Sequence, residues 1–197
     1  KKNVILSTGI STIKEISDAL NLLISSGTKK KKITVLHCNS AYPTPLQDVN
    51  MRAMVTIKNK FEVKIGYSDH TETFESALAA VALGAEVIEK HFTLNKNLSG
   101  PDHKASINPY EFKKFLEFIK NTEILLGSPK KIPTSSEKKN KQHVRKSIVA
   151  KKNIIKGDKF SLENLSTMRP GGGISPNKFF KIIGKKAKKN YLKGTQI

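Results

Sequence analysis

Apolar residues in the first two thirds of the chain follow two alternating rhythms. Short, mostly apolar runs at 3–6, 33–36, 63–67 and 85–88 read as buried strands. Between them the apolar positions take helical spacing. Ile13, Ile16, Leu20 and Leu23 form one stripe, opened by Thr12 and Glu15 at capping-box spacing and stopped by Gly27. Leu46, Val49, Met54 and Ile57 predict a helix over 46–60. Phe74, Ala77, Leu78, Val81 and Ala82 predict another, closed by Gly84. A fourth helix is predicted at 109–125, with Asn108 as cap, Pro109 in the first turn and Glu111 three residues after the cap. Four strand–helix units in series predict a parallel α/β fold with right-handed crossovers.

The texture changes after residue 126. Residues 127–143 are rich in Lys, Pro and Ser and read as a linker. Beyond it, 147–150, 153–158 and 191–194 are short strand-like pieces with Gly or Asp turns, predicting a separate, small, β-rich domain over 144–197. Between these pieces lies the glycine-rich loop Arg169-Pro170-Gly171-Gly172-Gly173.

Candidate chemistry gathers where the third and fourth strands end. Ser68-Asp69-His70-Thr71 follows one and Glu89-Lys90-His91-Phe92 the other. Functional groups in parallel α/β folds collect at the carboxyl ends of strands. Two imidazoles on neighbouring strands could share one divalent cation, with water or substrate completing its shell. Read singly, each histidine fits a structural hydrogen-bonding role equally well. The two prolines of Ala41-Tyr42-Pro43-Thr44-Pro45 fix the course of the loop after the second strand, and with it the orientation of Tyr42.

Charge alters this picture little. The 197 residues carry a net charge of +20, which raises the question of nucleic acid. The excess is lysine, scattered along helices and loops, and arginine occurs only at Arg52, Arg145 and Arg169. Arginine-poor surfaces lack the forked donors that read phosphates and guanine edges, so a solvated surface is favoured over nucleic-acid binding. The single cysteine, Cys38, excludes an intrachain disulfide and reads as a small buried hydrophobe. No apolar run is long enough to span a membrane and no signal peptide opens the chain, so a cytoplasmic location is expected.

The strings LSTG, LHCNSAYPTP, GYSDHT, EKHFT, GPDHKAS and RPGGGI, in this order, resemble the sialic acid synthase family, N-acetylneuraminate synthase and its bacterial relatives. The resemblance covers essentially the whole chain. It implies that 1–126 are the second half of a (β/α)8 TIM barrel, strands 5–8, and that 144–197 are an antifreeze-like (SAF) domain. The implied reaction joins phosphoenolpyruvate to N-acetylmannosamine, or a related 2-acetamido hexose, and releases phosphate. The implied cofactor is a divalent metal, manganese by preference with magnesium or cobalt as alternatives, on His70 and His91. The resemblance places Ser7, Ser40 and Ser68 on phosphoenolpyruvate and Tyr42 and Asp102 on the sugar. Arg169 matches the arginine that reaches the partner's sugar in a domain-swapped homodimer.

At Ser40 some members carry asparagine, and the GPDHKAS string is closer to the neuraminate and legionaminate branches than to the pseudaminate one. The family's barrel has eight strands and this chain begins just before the fifth, so it is expected to be a truncated form, inactive alone. A legionaminate-type synthase, a non-catalytic fragment binding a sugar or a partner, and a lysine-driven nucleic-acid binder are the alternatives.

Overall fold

The computed structural model describes residues 2–197, which divide into two compact units after Ser128. The first unit alternates strand and helix: β1 (Val4–Ser7), α1 (Ile13–Ser25), β2 (Ile33–Cys38), α2 (Arg52–Phe61), β3 (Lys64–Asp69), α3 (Glu75–Ala82), β4 (Val87–Lys90) and α4 (Pro109–Leu126). The strands form one parallel sheet in the order β1-β2-β3-β4. Chain order equals sheet order, the arrangement that successive right-handed βαβ crossovers produce.

Burial explains which residues make each element. Ile33, Val35, Ile65 and Tyr67 project from β2 and β3 into the main core, where Ile16 and Leu20 of α1 and Met54 and Ile57 of α2 meet them. α1 starts where Thr12 accepts from the Glu15 N–H and Glu15 reaches back to the Thr12 N–H at 2.7 Å. α4 starts with the same reciprocal box between Asn108 and Glu111. Phe115 of α4 packs on Ala77 and Ile107, with the Phe74 ring centroid 5.2 Å away.

Several boundaries differ from the sequence expectation. The helix expected over 46–60 is a 3-10 turn at Leu46–Asp48 followed by α2, which begins only at Arg52. Asn50 adopts φ +46°, which interrupts helical geometry, and Leu46 is exposed rather than buried. Ala82 also faces solvent. β2, β3 and β4 run two residues beyond their apolar runs, because the ladder continues through polar residues at the functional end.

The second unit spans Pro129–Ile197. Its first element is a helix, α5 (Ser135–Val144), inside the stretch expected to be a linker. A Thr134–Glu137 capping box starts it, and none of its residues is buried. β5 (Ser147–Ala150) pairs antiparallel with β6 (Leu165–Met168), where the sequence pattern predicts no strand. The pieces at 153–158 and 191–194 meet through an Ile154–Tyr191 bridge. A short helix, α6 (Phe179–Ile182), contributes Ile182 to a small core with Ile148, Ile154, Phe160 and Leu165.

The lysines are less scattered than their spread along the sequence suggests. Nineteen of the 36 basic residues, but only three of the 16 acidic ones, lie in this second unit. Among the described residues no helix is long and apolar enough to cross a membrane.

Candidate functional site at the carboxyl ends of the strands

Parallel register sets the frame. Cys38 pairs with Ser68, Ser68 with Glu89, and Asp69 with Lys90 across β2, β3 and β4. His70 and His91 each follow the last residue of their strand, so the two imidazoles emerge side by side, ring centroids 5.0 Å apart and nearly perpendicular. Tyr42 comes over from the loop after β2. Its ring lies 4.2 Å from that of His91 and 5.3 Å, edge-on, from that of His70. Asp102 completes the group from the loop after β4, with Oδ2 3.7 Å from His91 Nδ1. Four predicted site residues thus meet at one place.

The polar contacts assign roles. His70 Nδ1 lies 2.7 Å from the Asn39 carbonyl oxygen, which can only accept, so Nδ1 is the donor of that contact and Nε2 is the ring nitrogen left for other partners. Ser68 Oγ is 3.5 Å from that Nε2 but donates to Glu89 Oε1 at 2.7 Å. A ring held through Nδ1 by a backbone carbonyl is the way metal-binding histidines are commonly oriented. Tyr42 Oη lies 3.2 Å from Ser106 Oγ and 3.4 Å from the Asp102 carbonyl, while Ser106 holds that carbonyl at 2.7 Å. Burial pushes the Tyr42 phenol above its ordinary value, and the charges of Asp102 and Asp69 add to this against the Ser106 hydrogen bond. It therefore stays a protonated donor at neutral pH.

The three serines are placed differently. Ser68 is buried, whereas Ser7 at the end of β1 and Ser40 in the loop after β2 are exposed. The turn after β1 approaches that loop so closely that a Cβ on Gly9 would collide with Ser40 Oγ. A cavity of about 380 Å³ is lined there by Ile10, Cys38, Asn39, Ser40 and Ala41. Arg169 is exposed in the second unit, directly after β6.

Cys38 is half-buried, not a core residue, with Sγ 3.9 Å from His70 Nδ1. Burial raises its thiol pKa, with help from the Glu89 charge and against a Ser68 hydrogen bond, so it remains a thiol and a poor nucleophile.

Sequence reasoning missed Glu89, the acceptor for Ser68, and the ion pair between Asp69 and Lys90, closed at 2.8 Å with both side chains almost wholly buried. The signal was available: opposite charges stand immediately before each strand-end histidine. Among the described residues no three His, Cys, Asp or Glu side chains gather into a metal-binding group, so the histidine pair offers two ligands.

The NeuB family matches residues 1–131 and the SAF domain residues 145–197. The chain is 51% identical over 190 residues to the N,N'-diacetyllegionaminic acid synthase of Campylobacter jejuni, covering 96% of this chain and 57% of that one. It is 40% identical to a pseudaminic acid synthase of C. jejuni, with 96% of this chain and 54% of that one covered. A crystal structure of the N-acetylneuraminic acid (sialic acid) synthetase of Leptospira borgpetersenii, in complex with citrate, superimposes with a TM-score of 0.63. That match is 38% identical and covers 70% of this chain and 47% of the other. The chain spans about half the length of the curated relatives it matches. By sequence and by fold alike, this chain belongs to the NeuB family of sialic acid synthases and carries its SAF domain.

Proposed function

We propose that the chain is the carboxyl-terminal part of a nonulosonic acid synthase, a cytoplasmic transferase that condenses phosphoenolpyruvate with an N-acetylated hexose and releases phosphate. In this reading β1–β4 are strands five to eight of a (β/α)8 barrel. The observation that carries it is the convergence of His70, His91, Tyr42 and Asp102 at adjacent strand ends, with His70 Nδ1 held by the Asn39 carbonyl.

His70 and His91 would hold a divalent cation, manganese before magnesium or cobalt, with water or substrate oxygens completing its shell. When bound, such a cation polarises a carbonyl oxygen toward attack. The remaining roles belong to the chain. The Ser68 hydroxyl, with Ser7 and Ser40, would hold the phosphate and carboxylate of phosphoenolpyruvate. Tyr42 would donate to a sugar oxygen and its ring would shield one side of His91, while Asp102 would accept from sugar hydroxyls. Arg169, from the SAF domain of a domain-swapped partner, would fork onto the sugar.

The 51% identity to a diacetyllegionaminic acid synthase favours a diacetamido hexose as the acceptor over N-acetylmannosamine itself. Phosphate release should be measured with phosphoenolpyruvate, Mn²⁺ and each hexose, on this chain and on a chain extended to its relatives' length. Turnover only in the extended chain, lost in His70→Ala and His91→Ala, is expected. Full turnover in both histidine variants would refute the assignment. Sedimentation showing an active monomer would refute the shared site.

A further inference from the structure

The Asp69–Lys90 pair lies just behind the histidines and has no part in the chemistry above. Its side chains are 0% and 4% exposed, and Lys90 Nζ donates to Asp69 Oδ2 at 2.8 Å and to the Thr71 carbonyl at 2.7 Å. Asp69 Oδ1 accepts from the Thr71 N–H at 2.9 Å, the Thr71 hydroxyl at 2.8 Å and the Ser76 hydroxyl at 2.9 Å. Every polar atom of the cluster is thus satisfied, and among the described residues no buried side-chain nitrogen or oxygen lacks a partner.

Two buried charges are a weak source of stability, because desolvation offsets most of what their attraction returns, and apolar replacements are often tolerated. Their position suggests another use. Asp69 and Lys90 are direct register partners and the last residues of β3 and β4, and His70 and His91 are the next residues in the chain. The bridge therefore spans the same two strands, one residue before the two imidazoles. Thr71 and Ser76 extend it past His70 into α3, so the turn carrying His70 is fixed on both sides.

We infer that Asp69 and Lys90 are positioning residues that set the separation of His70 and His91 and so tune the metal affinity of the pair. The inference rests on the metal reading proposed above. Without the bridge the sheet still pairs through its backbone, but the last residues of β3 and β4 can splay, and the two ligands no longer present one fixed geometry.

The test uses the full chain and Mn²⁺ alone, with free ion counted by electron paramagnetic resonance and folding followed by circular dichroism. Asp69→Asn/Lys90→Met removes both charges and keeps the volumes. It should fold and bind Mn²⁺ about 10–100-fold more weakly, the range typical of lost ligand-orienting contacts. Ser76→Ala trims a single hydroxyl and keeps the inference testable if the double variant fails to fold; it should weaken binding by a smaller factor. Met54→Ala, a core substitution, serves as the control: it should lower the melting temperature and leave Mn²⁺ affinity unchanged. If His70→Ala and His91→Ala abolish binding while the bridge variants bind like the parent, the positioning role is wrong and the metal site stands. If the histidine variants also bind like the parent, the metal reading itself falls.

Discussion

Gly66 ties the packing of the sheet to the spacing of the site. It sits buried in β3, opposite Leu36 of β2 and Val87 of β4. A Cβ added there by Gly66→Ala would collide with Leu36 Cδ2, stand 2.6 Å from the Val87 carbonyl oxygen and 3.0 Å from Val87 Cβ. Leu36 can rotate its tip away. The carbonyl cannot move without its strand, and it falls ~0.8 Å short of ordinary van der Waals contact. β4 must therefore shift away from β3, taking His91 with it. Overpacking of this kind costs about 1–3 kcal/mol. In a chain of this size that lowers the melting temperature by roughly 2–12 °C.

The effect on the site should exceed the effect on the fold, because metal–ligand distances tolerate only about 0.2 Å. Thermal melts and Mn²⁺ titration of Gly66→Ala measure the two separately. Mn²⁺ affinity should drop further than in Met54→Ala, even where the two variants melt alike. A melting temperature restored by adding Leu36→Ala would refute the reasoning, since the side chain and not the ladder would then be the obstacle. Unchanged Mn²⁺ affinity in a destabilised Gly66→Ala would break the link between strand spacing and site.

Three further outcomes are expected. Tyr42→Phe keeps the ring on His91 and loses only long hydroxyl contacts, costing about 0.5 kcal/mol; Tyr42→Ala also loses the ring pair, about 0.5–1.5 kcal/mol more, and urea unfolding should rank them in that order. Asn108→Ala removes the cap of α4 and should cost about 1 kcal/mol, with Asn108→Ser close to the parent in urea midpoint. Burial works against ionisation of Glu111, but hydrogen bonds from Lys96 and the Asn108 N–H, with the charges of Lys96 and Lys90, hold its pKa below the ordinary value. Its contribution is thus complete above the unfolded-state pKa, about 4.3, and is lost as pH falls through the lower folded value. Glu111→Gln should flatten the loss of stability in that acid window, followed by melting temperature against pH.

Much of the first unit was legible because its signals are local. Thr12 with Glu15 and Asn108 with Glu111 sit three residues apart, and each box starts a helix where the spacing says it should. Thr134 with Glu137 carries the same signal, yet no apolar stripe follows it, and a helix without a buried face has no period to detect. The 46–60 stretch failed in the opposite sense. Its apolar spacing is helical, but nothing local announces that Asn50 adopts positive φ and that Leu46 points outward.

The site divides along the same line. The histidines were legible because strand ends are where α/β folds collect function, and an apolar run shows where a strand ends. The contacts that hold them in place were not. The Asn39 carbonyl that holds the His70 ring lies 31 residues away, and Lys90 lies 21 residues from Asp69. Each strand read alone shows an exposed-looking charge next to a histidine, the pattern of a solvated loop. Only the parallel register turns two such charges into a buried bridge, and it does so because β3 and β4 carry them at equal distance from the strand ends. A one-residue slip between the strands would leave both charges buried and unpaired, so the pair penalises the very misregistration that would separate the histidines. The polar residues that look least like core are therefore the ones that hold the two strand ends in register.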